Sequence, residues 1–151
     1  MASPLDLDQQ LCFALYSASR AMTAAYRPLL EPLGLTYPQY IAMLALWQHD
    51  HVSVRELGES LLLDSGTLTP LLKRLEQAGL VSRSRRRSDE REVEIALTPE
   101  GRALRRRAAS VPERMLCQTG LKPADFIRLR DQLDTLAARL HSPRKRTGDS
   151  P

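Results

Sequence analysis

Cys12 and Cys117 are the two cysteines of this chain and its most reactive side chains. A thiolate is a nucleophile towards peroxides, and its oxidation runs through a sulfenic acid towards a disulfide. Two cysteines this far apart are too few for a disulfide scaffold or a zinc knuckle. Two tyrosines bear on Cys12. Tyr16 follows it by four residues, which on a helix places both on one face about 6 Å apart along the axis. Tyr26 returns to nearly the same face, but about 21 Å further along. It cannot reach Cys12 within one helix; it can where a partner helix crosses in a symmetric dimer. An apolar surround from Phe13, Leu15 and Trp47 would favour bulky organic peroxides over hydrogen peroxide. Read from the residues alone, Cys12 also fits a plainer role as a small buried hydrophobe.

A second group is polar and basic. Ser65, Thr67 and Thr69 stand at the start of one helical segment, with Pro70 beside them and Lys73 and Arg74 following. Small polar side chains there can read base edges in a major groove, and the two cations suit phosphates. Arg83, Arg85, Arg86 and Arg87 crowd together further on. An arginine on a hairpin tip can reach a narrow minor groove, where negative potential is concentrated. Taken singly, each pattern also fits a helix cap or a solvated face. His49-Asp50-His51 is poorly spaced for two metal ligands on one helix face, and histidine near a helix C-terminus suits the dipole. No metal and no cofactor are expected. Arg102, Arg105, Arg106 and Arg107 read as a solvated helix face.

These residues need elements to position them. The 151 residues amount to one domain. Lys and Arg number 22 and Asp and Glu 18, a net charge of +4 that permits a nucleic-acid partner. There is no apolar run of about 18 residues to cross a membrane. The N-terminus lacks the basic and apolar regions of a signal peptide, so a cytoplasmic location with reduced thiols is expected, with no membrane partner. Aromatic residues make up 5%, so the core falls to Leu and Ala.

Apolar residues at helical spacing predict a long helix from about Leu5 to Leu30, its last turn interrupted by Pro28. Part of its apolar surface needs another subunit. Thr36-Tyr37-Pro38 starts a second helix, and Ser53-Val54-Arg55-Glu56 fits a capping box for a third. Asp64-Ser65-Gly66 opens a fourth, with Leu68, Leu71, Leu72 and Leu75 on one face and Ala78-Gly79 at its end. Val81–Arg85 and Val93–Leu97 alternate at period two, as two strands around a charged loop. Thr98-Pro99 restarts a helix that runs to Leu116 and Cys117 with a kink at Pro112. A last helix follows Lys122-Pro123, and residues 142–151 read as a disordered tail carrying Arg144-Lys145-Arg146. The fold class is mainly α with a small β-hairpin, α+β, and the order of elements is that of a winged helix-turn-helix.

The stretch Leu63-Asp64-Ser65-Gly66-Thr67-Leu68-Thr69-Pro70-Leu71-Leu72-Lys73-Arg74-Leu75-Glu76 resembles the recognition element of the MarR family of transcriptional regulators. More narrowly, it resembles the organic-hydroperoxide-sensing branch, the OhrR repressors. Ser88-Asp89-Glu90-Arg91 resembles that family's wing signature, and Leu11–Tyr16 and Gly34–Tyr40 resemble the branch as well. The likeness covers roughly residues 5–140. It implies a single domain over 1–151, with dimerisation helices at about 5–35 and 99–141 and the winged helix-turn-helix at about 36–98. It implies an intertwined homodimer that binds a pseudo-palindromic operator in double-stranded DNA. Asp64, Ser65, Thr67, Thr69 and Pro70 would face the major groove. Arg91 would enter the minor groove with its guanidinium held by Asp89, and Lys73, Arg74, Arg86 and Arg87 would add DNA contacts.

The resemblance also implies roles for the thiols. Tyr26 and Tyr37 of a partner subunit would hydrogen-bond Cys12, with Tyr16 close by. Organic hydroperoxide would oxidise Cys12, which would condense with Cys117 of the other subunit. The resulting movement would release DNA, and a thiol reductant would reset the protein. Two other readings stay open: a repressor released by a small aromatic ligand with the cysteines incidental, and a thiol peroxidase. No enzyme is expected, because two short strands cannot build the α/β fold of thiol peroxidases.

Overall fold

A computed structural model describes residues 1 and 3–141 of the chain. The predicted tail at 142–151 lies outside the described residues. The described residues form two compact units, Met1–Val111 and the part of Pro112–Pro151 that precedes residue 142.

The first unit begins with a short 3-10 turn at Leu7–Gln9 and then α1, Leu11–Leu30. The helix therefore starts six residues later than the apolar spacing predicts, with Asp6 and Asp8 in the preceding turn. It also runs through Pro28, and the N–H of Glu31 still bonds the Arg27 carbonyl. Proline costs only its own N–H and the fit to the preceding turn, so a final turn tolerates it better than an interior one. Gly34, at φ +67°, turns the chain into α2, Tyr37–Gln48. Thr36 and Gln39 cap that helix reciprocally. Tyr40, Ala42, Met43 and Leu46 on α2 form the middle of the core.

Two residues, Val52–Ser53, form β1, a strand absent from the sequence reading. α3, Val54–Leu61, follows with the expected Ser53–Glu56 capping box. α4, Ser65–Gln77, buries Leu68, Leu71, Leu72 and Leu75 as its spacing predicts. β2, Val81–Arg85, and β3, Val93–Leu97, have the predicted bounds. The three strands make an antiparallel sheet of order β1-β3-β2, with Val52 opposite Ile95 and Val81 opposite Leu97. A two-residue strand is too short to show alternation, so pairing rather than pattern defines it.

α5, Pro99–Ala108, is capped by Thr98, whose hydroxyl accepts the Gly101 N–H and donates to the Gly79 carbonyl. The predicted single helix with a kink at Pro112 is instead two. α5 ends before Ala109 and α6, Val111–Thr119, begins two residues later. Pro112 falls in the first turn of α6, where its missing N–H has no intrahelical acceptor in any case. Trp47 donates Nε1–H to the Gly101 carbonyl at 2.8 Å, so its polar end is committed to α5 and not to the surround of Cys12.

The second unit holds the rest of α6 and α7, Pro123–His141. α7 has no buried residue, and Ile127, Leu129, Leu133 and Leu140 are exposed. On α1, Leu11, Phe13, Tyr16 and Met22 are exposed too. Each such side chain would contribute roughly 1.5–3 kcal/mol on full burial, so both helices carry an unpartnered apolar face. Among the described residues, no helix is long and apolar enough to cross a membrane.

Candidate nucleic-acid interface and reactive thiols

α3 and α4 are joined by a tight turn. Leu62 adopts φ +55°, and the Leu63 N–H bonds the Gly58 carbonyl at 2.9 Å. A Cβ on Gly58 would lie 2.9 Å from the Leu63 carbonyl oxygen, so the turn closes this way only over glycine. With its leucines buried, α4 exposes Ser65, Thr67, Thr69, Pro70, Lys73 and Arg74. Asp64 is exposed but engaged: its carboxylate accepts the Thr67 N–H at 2.7 Å as the helix N-cap. That bond holds its pKa below the usual carboxylate value.

The wing is the loop between β2 and β3. Its base is closed by the Arg86 N–H to the Glu92 carbonyl at 2.8 Å. Asp89 does act on Arg91, but through the main chain: its Oδ1 accepts the Arg91 N–H at 3.0 Å. Arg87, Asp89 and Arg91 are exposed. Arg86 is half-buried and turned inward. Its guanidinium donates to Glu92 at 3.0 Å and to Glu56 at 3.2 Å, and its Nε lies 3.6 Å from Glu94. Lower on the wing, Arg83 binds Glu76 of α4 through its main-chain and side-chain nitrogens. The sequence reading missed this carboxylate set, although Glu56 was already marked as the capping-box residue.

Cys12 is exposed and is the second residue of α1, nearer the positive end of its helix than the predicted start implies. Cys117, in the second unit, is exposed as well; both are free thiols. Tyr16 is exposed, and the Arg20 guanidinium lies 5.4 Å from its ring centre. Tyr26 and Tyr37 pack with ring centres 5.0 Å apart, and Tyr26 meets Tyr40 at 5.6 Å. Tyr40 is the member of this cluster that the sequence reading left out; its spacing of three residues from Tyr37 on one helix was the available signal. Burial raises the pKa of Tyr26, with Tyr37 adding to it, and burial raises that of Tyr37. Burial, with Tyr26 and Tyr37, pushes Tyr40 up to about 12. The phenols therefore stay neutral hydrogen-bond donors around pH 7. An open cleft of about 650 Å³ between α1 and the start of α2 is lined in part by Thr23, Arg27, Thr36 and Tyr37.

At His49-Asp50-His51, Asp50 binds the Leu97 N–H and the Arg102 guanidinium, and His51 lies 3.1 Å from Glu94. Among the described residues, no group of His, Cys, Asp and Glu could hold a metal ion.

The family model described as transcriptional regulator SarA/Rot matches residues 24–107, from the last turns of α1 to the last turn of α5. The organic hydroperoxide resistance transcriptional regulator of Bacillus subtilis (strain 168) is 48% identical over 137 residues, 91% of this chain and 93% of that protein. Reduced AbfR bound to DNA superposes with a TM-score of 0.74 at 34% identity, over 89% of this chain and 93% of that one. AbfR is a protein of Staphylococcus epidermidis. Its disulfide form matches less closely, with a TM-score of 0.62 at 34% identity over 89% of each chain.

Proposed function

This chain belongs to the MarR/SarA-type winged-helix transcriptional regulators, as a relative of the organic hydroperoxide resistance regulators, and we propose that it is a repressor switched by oxidation of Cys12. The observation that carries the reading is the Tyr26–Tyr37 pair: two neutral phenols packed together on a chain that also exposes Cys12. Two protomers join through the exposed apolar faces of α1 and α7. One protomer's Cys12 then meets the partner's Tyr26 and Tyr37, whose hydroxyls donate to the thiolate.

The Cys12 thiolate attacks the distal oxygen of an organic hydroperoxide. The O–O bond breaks, the alcohol leaves with a proton, and a sulfenic acid remains. The Cys117 thiol of the other subunit then attacks the sulfenic sulfur, water leaves, and an intersubunit disulfide forms. A disulfide holds its Cα atoms within about 7 Å. Where the reduced thiols start further apart than that, closing the bond moves the helices that carry the two lobes and takes them out of register with the operator. A thiol reductant reverses the step.

DNA is held by α4 in the major groove, through Ser65, Thr67, Thr69 and Pro70, and by Arg91 on the wing in the minor groove. Lys73, Arg74 and Arg87 add phosphate contacts. Asp64 serves the interface through the cap that fixes the start of α4.

The test is an operator titration before and after one equivalent of cumene hydroperoxide, with a nonreducing gel of the same samples. Loss of binding together with a covalent dimer, both reversed by dithiothreitol and both absent in Cys12→Ser, is the expected result. Binding that ignores peroxide overturns the reading. In Cys117→Ser, DNA binding should survive and the covalent dimer should vanish; a dimer that persists there removes Cys117 from the scheme.

A further inference from the structure

Arg86 stands in a run of arginines on the wing, yet its guanidinium is turned onto carboxylates of the wing and of α3. We propose that Arg86 is a positioning residue that fixes the wing relative to the helix-turn-helix, and that it does not bind a phosphate. The proposal rests on the operator-binding reading and deepens it.

Its contacts join three places. The donation to Glu92, at 3.0 Å, lies within the wing. The donation to Glu56, at 3.2 Å, crosses to the first turn of α3, thirty residues earlier in the chain. The approach of Nε to Glu94, at 3.6 Å, reaches β3. The carboxylates are themselves held. Glu56 accepts the Ser53 N–H at 2.7 Å on the same oxygen, and Glu94 is shared with His51 at 3.1 Å. A planar guanidinium can bridge such fixed acceptors at once, which a single ammonium cannot.

Charge points the same way. Three carboxylates already face this one cation, which leaves it less attraction to offer an approaching phosphate. Arg83 ties the wing to α4 through Glu76 nearer its root, so Arg86 is the tie closer to the tip. The recognition helix and the wing tip must reach adjacent grooves together. A wing held at a fixed angle meets the minor groove without a further ordering cost on binding.

The experiment compares wild type, Arg86→Gln, Arg86→Lys, Arg91→Ala and the double variant Arg86→Gln/Arg91→Ala on operator DNA over a range of salt. Hydroxyl-radical and guanine-methylation footprints accompany the titrations. Arg86→Gln should weaken binding about tenfold, as expected for loss of a charge-assisted pair. The slope of log K against log salt should not change. Minor-groove protection at the wing should fade while major-groove protection at α4 remains. Arg91→Ala should cost less in the Arg86→Gln background than in wild type, and Arg86→Lys should not rescue. A salt slope reduced by about 0.9 for each subunit bound, with the wing footprint intact, would mark a phosphate contact and overturn the proposal. Additive effects of Arg86→Gln and Arg91→Ala would overturn it too. If Arg86→Gln melts, Glu56→Gln carries the same test from the other end of the pair. Wild-type protein that fails to bind any operator would overturn the DNA reading itself, an outcome distinct from both.

Discussion

Asp50 Oδ1 accepts the main-chain N–H of Leu97 at 2.8 Å. The two residues are 47 positions apart, one just past α2 and the other at the end of β3. The same oxygen accepts the His51 N–H at 2.8 Å, and Oδ2 accepts from Arg102 on α5 at 3.1 Å. One carboxylate thus joins the α2–β1 turn, the wing's inner strand and the helix leading out of the lobe. Two histidines beside an aspartate raise the question of a metal; the structure uses the aspartate as a junction.

Removing that junction should destabilise the lobe, and the loss should depend on pH. Asp50→Ala leaves the part-buried Leu97 N–H without its acceptor, at a cost of about 1–3 kcal/mol. Asp50→Asn keeps an acceptor and should cost less. Burial works to raise the Asp50 pKa, but the Leu97 and His51 N–H groups and Arg102 outweigh it, so the folded value lies below 3.8. Its contribution is therefore present above the unfolded value and lost as pH falls through the folded one. Urea unfolding at pH 7 and again near pH 3 checks this. The stability gap between wild type and Asp50→Ala should narrow at the lower pH; a gap that widens contradicts the assignment.

Gly101 separates two kinds of glycine. A Cβ there would lie 2.1 Å from the Leu80 carbonyl oxygen, and that oxygen belongs to backbone bonded to the Thr98 N–H. Gly101→Ala should cost at least about 3 kcal/mol, the upper end for overpacking. At Gly66 a Cβ meets nothing nearer than Asp64 Oδ1 at 3.4 Å. Gly66→Ala should therefore be neutral or gain up to about 1 kcal/mol of helix propensity. In thermal melts Gly101→Ala should fall well below wild type, and Gly66→Ala should melt at or above it.

Much of this arrangement was legible in the sequence, for identifiable reasons. The leucines of α4, the cap at Asp64 and the strands at Val81–Arg85 and Val93–Leu97 follow from local spacing and capping chemistry. The start of α1 was not legible, because Leu5 and Leu7 continue the apolar spacing into a segment that folds as a turn. The break before Val111 was not legible either, since Ala109 and Ser110 carry no breaker and Pro112 drew attention to itself. At the candidate site, exposed groups such as Thr67 and Arg91 could be placed by element alone. Arg86 could not, because its partners lie on α3 and β3 and only the fold brings them together.

The tyrosine pair gives a kinetic prediction. With phenols that stay protonated near pH 7, Tyr26 and Tyr37 can donate to a thiolate but not compete with it for protons. Tyr37→Phe removes one donor and leaves the ring packing against Tyr26. The rate of Cys12 oxidation by cumene hydroperoxide should fall about tenfold, the size of one hydrogen bond to a charged group. Operator affinity of the reduced protein should not change. Stopped-flow oxidation of wild type, Tyr26→Phe and Tyr37→Phe measures this, and rates equal to wild type in both variants would detach the pair from the thiol.

The exposed face of α4 predicts two separable effects on DNA binding. Lys73 is exposed on the third turn, beyond the small polar residues of the helix start, and suits a phosphate rather than a base edge. Lys73→Gln should weaken operator and unrelated DNA alike, and should lower the salt slope by about 0.9 for each subunit bound. Thr67 is exposed one turn from the N-terminus, where recognition helices meet base edges. Its N–H is already held by Asp64, so Thr67→Ala keeps that main-chain cap bond and removes a methyl and the hydroxyl, which also bonds Asp64. That variant should lose about 1–3 kcal/mol on operator DNA, with little change on unrelated DNA and an unchanged salt slope. Titrations of both variants on both DNAs at several salt concentrations separate the two effects. Equal losses on operator and unrelated DNA for Thr67→Ala would move base reading away from the start of α4.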